Sequence, residues 1–178
     1  MNLALRPSTR APSARARSTE SRRGSLPRVA LLGAVTGLRS QVSLALLARA
    51  ARAGRVAAAG SGPRLLDSRP AAPLLLLSMA GEFVGDKLPM TSSRLDRGPL
   101  GSRLVLGALA GAVLRRSAGA SMAPGVLLGA LGAGAGAWAG YHARAWAGRS
   151  TGLADPVLGA AEDLVALGLA SYALRDDA

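Results

Sequence analysis

The most constraining stretch of this 178-residue chain runs from Ser117 to Ala143 without a formal charge, taking His142 as neutral. It holds Gly125, Gly129, Gly132, Gly134, Gly136 and Gly140, and the Gly132/Gly136/Gly140 series repeats every four residues. On a helix that spacing lines the glycines up in one row, a shallow groove that another helix can approach closely. The same spacing recurs at Gly33/Gly37, Gly81/Gly85 and Gly107/Gly111. In water each mid-helix glycine costs about 1 kcal/mol against alanine. In a bilayer such glycines are tolerated and promote close helix packing. The run is also long enough to cross a bilayer, which takes about 20 residues. The expected fold is therefore all-α, a polytopic helical membrane bundle. A water-soluble Ala/Gly-rich bundle is the bland alternative, and the mean hydropathy of +0.27 allows it.

About five Gly/Ala-rich apolar segments can be traced. The first runs from Val29 to Ala48 with Arg39 near its middle. A polar, Arg-rich stretch from Arg49 to Pro70 reads as a loop. The second segment, Ala71 to Leu88, ends in Gly81-Glu82-Phe83-Val84-Gly85-Asp86-Lys87-Leu88-Pro89, where Pro89 disfavours helix at Leu88. Met90 to Ser102 reads as a turn-rich connection, and Leu104 to Leu114 as a short helix closed by Arg115 and Arg116. The charge-free run is the fourth. The last opens with Asp155 as N-cap and Pro156 at the first helical position, then runs apolar from Val157 to Leu174.

Three regions follow: a 1–28 tail, a 29–174 helical membrane domain, and a short 175–178 C-terminal tail. The first tail carries seven Arg and one acid, with no apolar periodicity, and is expected to be disordered. It reads as a cytoplasmic positive anchor, as a transit segment, or as a stretch absent from the mature protein. It supplies about half of the net charge of +12, and Lys87 is the only lysine. The remaining basic residues are scattered rather than gathered on one face with aromatics, which argues against nucleic acid as a partner.

Charges inside apolar segments mark candidate sites, because a charge near a bilayer centre costs about 2.5–3.5 kcal/mol on insertion scales. The candidate polar centre is Arg39, Glu82, Asp86, Lys87, Arg94, Asp155, Glu162 and Asp163, with His142 and Arg144 nearby. Closely spaced carboxylates raise one another's proton affinity, which suits a proton relay or a small cation. The opposing reading is a set of buried ion pairs, Arg39 with an acid for instance, that locks helix register. The candidate packing residues are Gly33, Gly37, Gly81, Gly85, Gly107, Gly111, Gly132, Gly136 and Gly140. Trp138, Tyr141, His142 and Trp146 read as an interfacial aromatic belt.

An internal repeat is a further candidate. Gly33-Ala-Val-Thr-Gly37-Leu-Arg39 and Gly136-Ala-Trp-Ala-Gly140-Tyr-His142 share the pattern Gly-Ala-x-x-Gly-x-basic, and each is followed by an acidic pair. One span between the halves would invert the second against the first. Shared Ala/Gly composition is the simpler explanation of the likeness.

Catalytic signatures are weak. Gly134 to Ala139 matches a dinucleotide-binding pattern, but no strand signal precedes it. No GxSxG, P-loop or HExxH occurs. Cys is absent and His142 is the single histidine, so neither a thiolate site nor a His-based zinc site is expected. The expectation is a non-enzyme with no cofactor and no metal.

The chain resembles a bacterial family of small integral membrane proteins catalogued as domain of unknown function 4126. The resemblance rests on Gly-Ala-Val-Thr-Gly-Leu-Arg-Ser at 33–40, Gly-Glu-Phe-Val-Gly-Asp-Lys-Leu-Pro at 81–89 with Ser93-Arg94, and the Gly-rich 125–140 run. Asp155-Pro156 followed by Glu162-Asp163 completes it, so that it covers roughly residues 29–174. It implies a bacterial inner-membrane location and no particular activity. The expected function is a small transporter or permeation protein with a buried charged centre. The alternative is a non-transporting membrane protein whose charges lock its helices. Expected partners are the lipid bilayer, a second copy of the chain, and a small ion or proton.

Overall fold

The computed structural model describes residues 25–53, 77 and 95–175, and every regular element among them is helical. In chain order these are α1 (Leu26–Leu38), α2 (Val42–Arg52), α3 (Arg97–Ser117), α4 (Ala123–Thr151) and α5 (Asp155–Ala173). Among the described residues, no helix is long and apolar enough to cross a membrane. The second apolar segment expected from the sequence, residues 71–88, lies outside the described residues apart from Leu77. The five helices are therefore not the same five segments.

The close approach expected of the glycines is realised at α4, the longest helix. Its Gly125 and Gly129 meet Gly111 and Gly107 of α3 so closely that a Cβ on any of the four would strike the opposing backbone. The adjoining face takes α1 in the same way. A Cβ on Gly132 would strike Ala30, one on Gly136 would strike Ala34, and Gly37 sits against Ala133 and Ala137. Gly129 is the junction, since Gly33 of α1 and Gly107 of α3 both abut its carbonyl. α1, α3 and α4 thus form a tight three-helix unit. α5 leans mainly on α1, and α2 touches α1, α3 and α5.

The core is small and aliphatic, built on Val29, Leu32, Val35, Val42, Leu44, Leu47 and Leu114 with alanines between them. Thr36, Arg39, Ser43, Arg103 and Asp163 are buried with it. Other large apolar side chains lie outside: Val105, Leu127, Leu131, Trp138, Trp146 and Leu164 are exposed.

Four boundaries differ from the sequence reading. The single segment Val29 to Ala48 is two helices, broken at 39–41, and the second continues to Arg52. The first helix begins at Leu26 rather than Val29, and Pro27 suits its first turn. α3 begins at Arg97 rather than Leu104, because Pro99 falls in the first turn, where its missing N–H costs nothing. α4 continues to Thr151 and stops at Gly152, which takes a left-handed φ of 66°.

Candidate functional site

The break between α1 and α2 contains neither Gly nor Pro. Arg39 itself leaves the helix, with φ −138° and ψ 109°. The groups freed by the break find partners. Arg103 Nη1 donates to the carbonyls of Gly37 (3.0 Å) and Leu38 (3.3 Å), capping the end of α1 with a positive charge where the helix dipole is negative. Farther back in α1, Ser43 Oγ of α2 donates to Leu32 O at 2.7 Å, sharing that acceptor with Thr36 Oγ1 at 3.0 Å, and so ties the two helices together across the break.

Released from the helix, Arg39 turns its side chain onto α5 and is fully buried. Its Nε lies 2.5 Å from Asp163 Oδ1, and its Nη2 lies 3.9 Å from Glu162 Oε2. The same Nη2 donates to Gly159 O at 3.3 Å. Gly159, Glu162 and Asp163 share a face of α5 because they are three and four residues apart. Gly159 also makes room for Arg144 of α4, whose Nη2 would lie 3.2 Å from an added Cβ.

Arg144 is the second hub. It donates from Nε to Asp155 Oδ1 (2.8 Å) and from Nη2 to Asp155 Oδ2 (2.6 Å), a forked pair, and its Nη1 lies 3.5 Å from Glu162 Oε2. The chain of contacts therefore runs Asp163, Arg39, Glu162, Arg144, Asp155. It ties α1 to α5 and α5 to α4. Its two ends differ in character: the Asp155 side chain is 70% exposed, whereas Asp163 and Arg39 are buried. Exposed pairs contribute about 0–1 kcal/mol, while removing one partner of a buried pair costs about 3–5 kcal/mol.

Of the eight residues expected in the polar centre, the structure brings Arg39, Asp155, Glu162 and Asp163 into one network. Glu82, Asp86, Lys87 and Arg94 lie outside the described residues, as do Gly81 and Gly85. Asp155 is not the N-cap of α5. Ala154 holds that position, and the Asp155 carboxylate is drawn to Arg144 instead. The sequence singled Arg144 out only as a neighbour and did not single out Arg103. Arg103 carried a weaker signal than Arg39, since it stands at the edge of an apolar run (Leu104-Val105-Leu106) rather than inside one. His142 does not parallel Arg39: it is exposed, with its ring 4.5 Å from Trp138 and 5.2 Å from Tyr141, on a helix that runs on. Among the described residues no group of three or more His, Cys, Asp and Glu is placed to hold a metal ion.

Comparison with family models, with curated proteins and with solved structures gives no match to this chain.

Proposed function

We propose that this chain is a small helical protein of the bacterial inner membrane, akin to the domain of unknown function 4126 family, whose buried charges lock its helices together. The observation that carries the reading is the pairing of exposed large apolar side chains with charges buried beside the core. Leucines such as Leu127, Leu131 and Leu164 point outward while Arg39 and Asp163 are buried. Water would favour the opposite arrangement, because exposing a large aliphatic side chain forgoes about 1.5–3 kcal/mol of burial. Hydrocarbon favours the arrangement observed. Arg97, Arg103, Arg115 and Arg116 lower the average hydropathy of α3, and Asp155, Glu162 and Asp163 that of α5, while α4 is diluted by its glycines; α3, α4 and α5 have 21, 29 and 19 residues. At 1.5 Å per residue α3, α4 and α5 are about 32, 44 and 29 Å long, against about 30 Å of hydrocarbon.

The lock is supported by geometry: each guidanium named in the network faces carboxylates already within pairing distance. Carbonate extraction of membranes tests the location. Retention in the pellet is expected, and release into the wash would sink the membrane reading.

A permeation role is the second reading. One observation favours it: Glu162 lines an open cavity. Reconstituted vesicles separate the two. Proton or cation flux that is lost on Glu162→Gln with the fold retained would favour permeation, and flux equal to protein-free vesicles would favour the lock.

A further inference from the structure

Beyond the charged network, α4 and α5 diverge around two adjoining open cavities. The first, about 250 Å³, is lined by Leu38, Ala143, Ala147, Ala161 and Val165, with Glu162 at one side. The second, about 450 Å³, is lined by Tyr141, Arg149, Leu153 and Asp155 and adjoins the turn between the helices. Arg144 and Leu158 line both, so the two adjoin at these side chains. Polar groups thus gather at the helix ends, and an apolar cleft runs inward from them. Tyr141 lines the second cavity, and Trp146 is exposed on the same part of α4.

We propose that this cleft holds one phospholipid with an amine-bearing headgroup, its phosphate on Arg149, its ammonium at Asp155, and one acyl chain between α4 and α5. The inference rests on the membrane reading above. Charge complementarity selects the headgroup. A guanidinium suits a phosphodiester, and the exposed edge of the Asp155 carboxylate suits an ammonium. The chain is selected by the cleft itself. Its small residues leave a void that, left unfilled, forfeits dispersion contacts along its walls. Water gains little there, because an apolar site offers it few hydrogen-bond partners.

The test uses the full-length chain in vesicles of phosphatidylethanolamine and phosphatidylglycerol, each in turn carrying a trace of a photoactivatable acyl chain. Cross-links are mapped by peptide mass spectrometry. The expected result is labelling concentrated on residues 140–165, stronger from the ethanolamine lipid. Arg149→Gln should lower it several-fold. Ala143→Trp and Ala161→Trp, both at exposed positions that fill the cleft from outside, should do the same. Labelling spread over α3, α4 and α5 alike, or unchanged in both tryptophan variants, would overturn the proposal. So would competition by soluble glycerophosphoethanolamine as strong as that by the intact lipid, because the chain would then contribute nothing. Carbonate extraction of the same samples keeps the two readings apart. Retained protein with even labelling sinks the cleft alone, and released protein that still labels at 140–165 sinks the spanning reading alone.

Discussion

Arg39 decides more of this structure than any other side chain. It ends α1, crosses to α5 and is sealed there against Asp163. Replacing it by methionine keeps the length and removes the charge, leaving Asp163 buried beside an apolar group. Arg39→Met should therefore destabilise the fold by about 3–5 kcal/mol. Asp155→Asn, at the exposed end of the same network, should cost no more than about 1 kcal/mol. Reversible unfolding in mild detergent reads both, and equal losses would contradict the gradient of burial along the network. Arg103→Gln should cost about 1.5–3 kcal/mol by withdrawing a charged donor from the Gly37 and Leu38 carbonyls. Arg39, Glu162 and Asp163 were legible in the sequence because a charge within an apolar run needs a physical reason. Their pairing was not legible, since the run offered several acids to one arginine. Arg103 was missed because it stands at the edge of its apolar run, where a charge can also reach water.

At the scale of elements, the glycine rows were the most legible feature, and Gly33/Gly37, Gly107/Gly111 and Gly132/Gly136 make the close approaches that four-residue spacing implies. What the spacing could not give is which rows meet. Gly125 and Gly129 turn to α3, Gly132 and Gly136 turn to α1, and Gly134 faces only the Leu104 side chain at 3.4 Å. The difference can be measured with alanine. Gly136→Ala gains helix propensity of about 1 kcal/mol but drives a methyl into the Ala34 backbone, and such overpacking costs about 1–3 kcal/mol. The net expectation is destabilisation with α1 displaced. Gly168→Ala, on α5 with nothing within 4 Å of the added carbon, should instead stabilise by up to about 1 kcal/mol. The same unfolding measurement checks the pair, and a shared sign would contradict the packing described. The break at 39–41 was illegible for a different reason. Local sequence there carries no stop signal, and the side chain that satisfies the freed Gly37 and Leu38 carbonyls, Arg103, comes from α3. Tertiary hydrogen bonding overrode local propensity.

At the scale of the whole molecule, the outward leucines separate membrane from water most sharply, because one substitution has different consequences in each. Leu164 is 72% exposed and lies near the middle of α5. On a surface facing water, Leu164→Lys should change stability by no more than about 0.5 kcal/mol, since exposed positions away from special features are tolerant. On a surface facing hydrocarbon, the same lysine would cost about 2.5–3.5 kcal/mol on insertion scales. The membrane reading therefore predicts that Leu164→Lys lowers the membrane-inserted fraction of the expressed chain. Leu164→Ile, which keeps the surface apolar, should leave that fraction unchanged. Extraction resistance, measured beside the unfolding midpoint of detergent-purified protein, distinguishes the cases. Loss of insertion with an unchanged midpoint in detergent is the expected pattern. Unchanged insertion in both variants would mean that Leu164 does not face lipid, and α5 would then need another apolar partner for Leu164 and Val165, the second copy of the chain being the simplest.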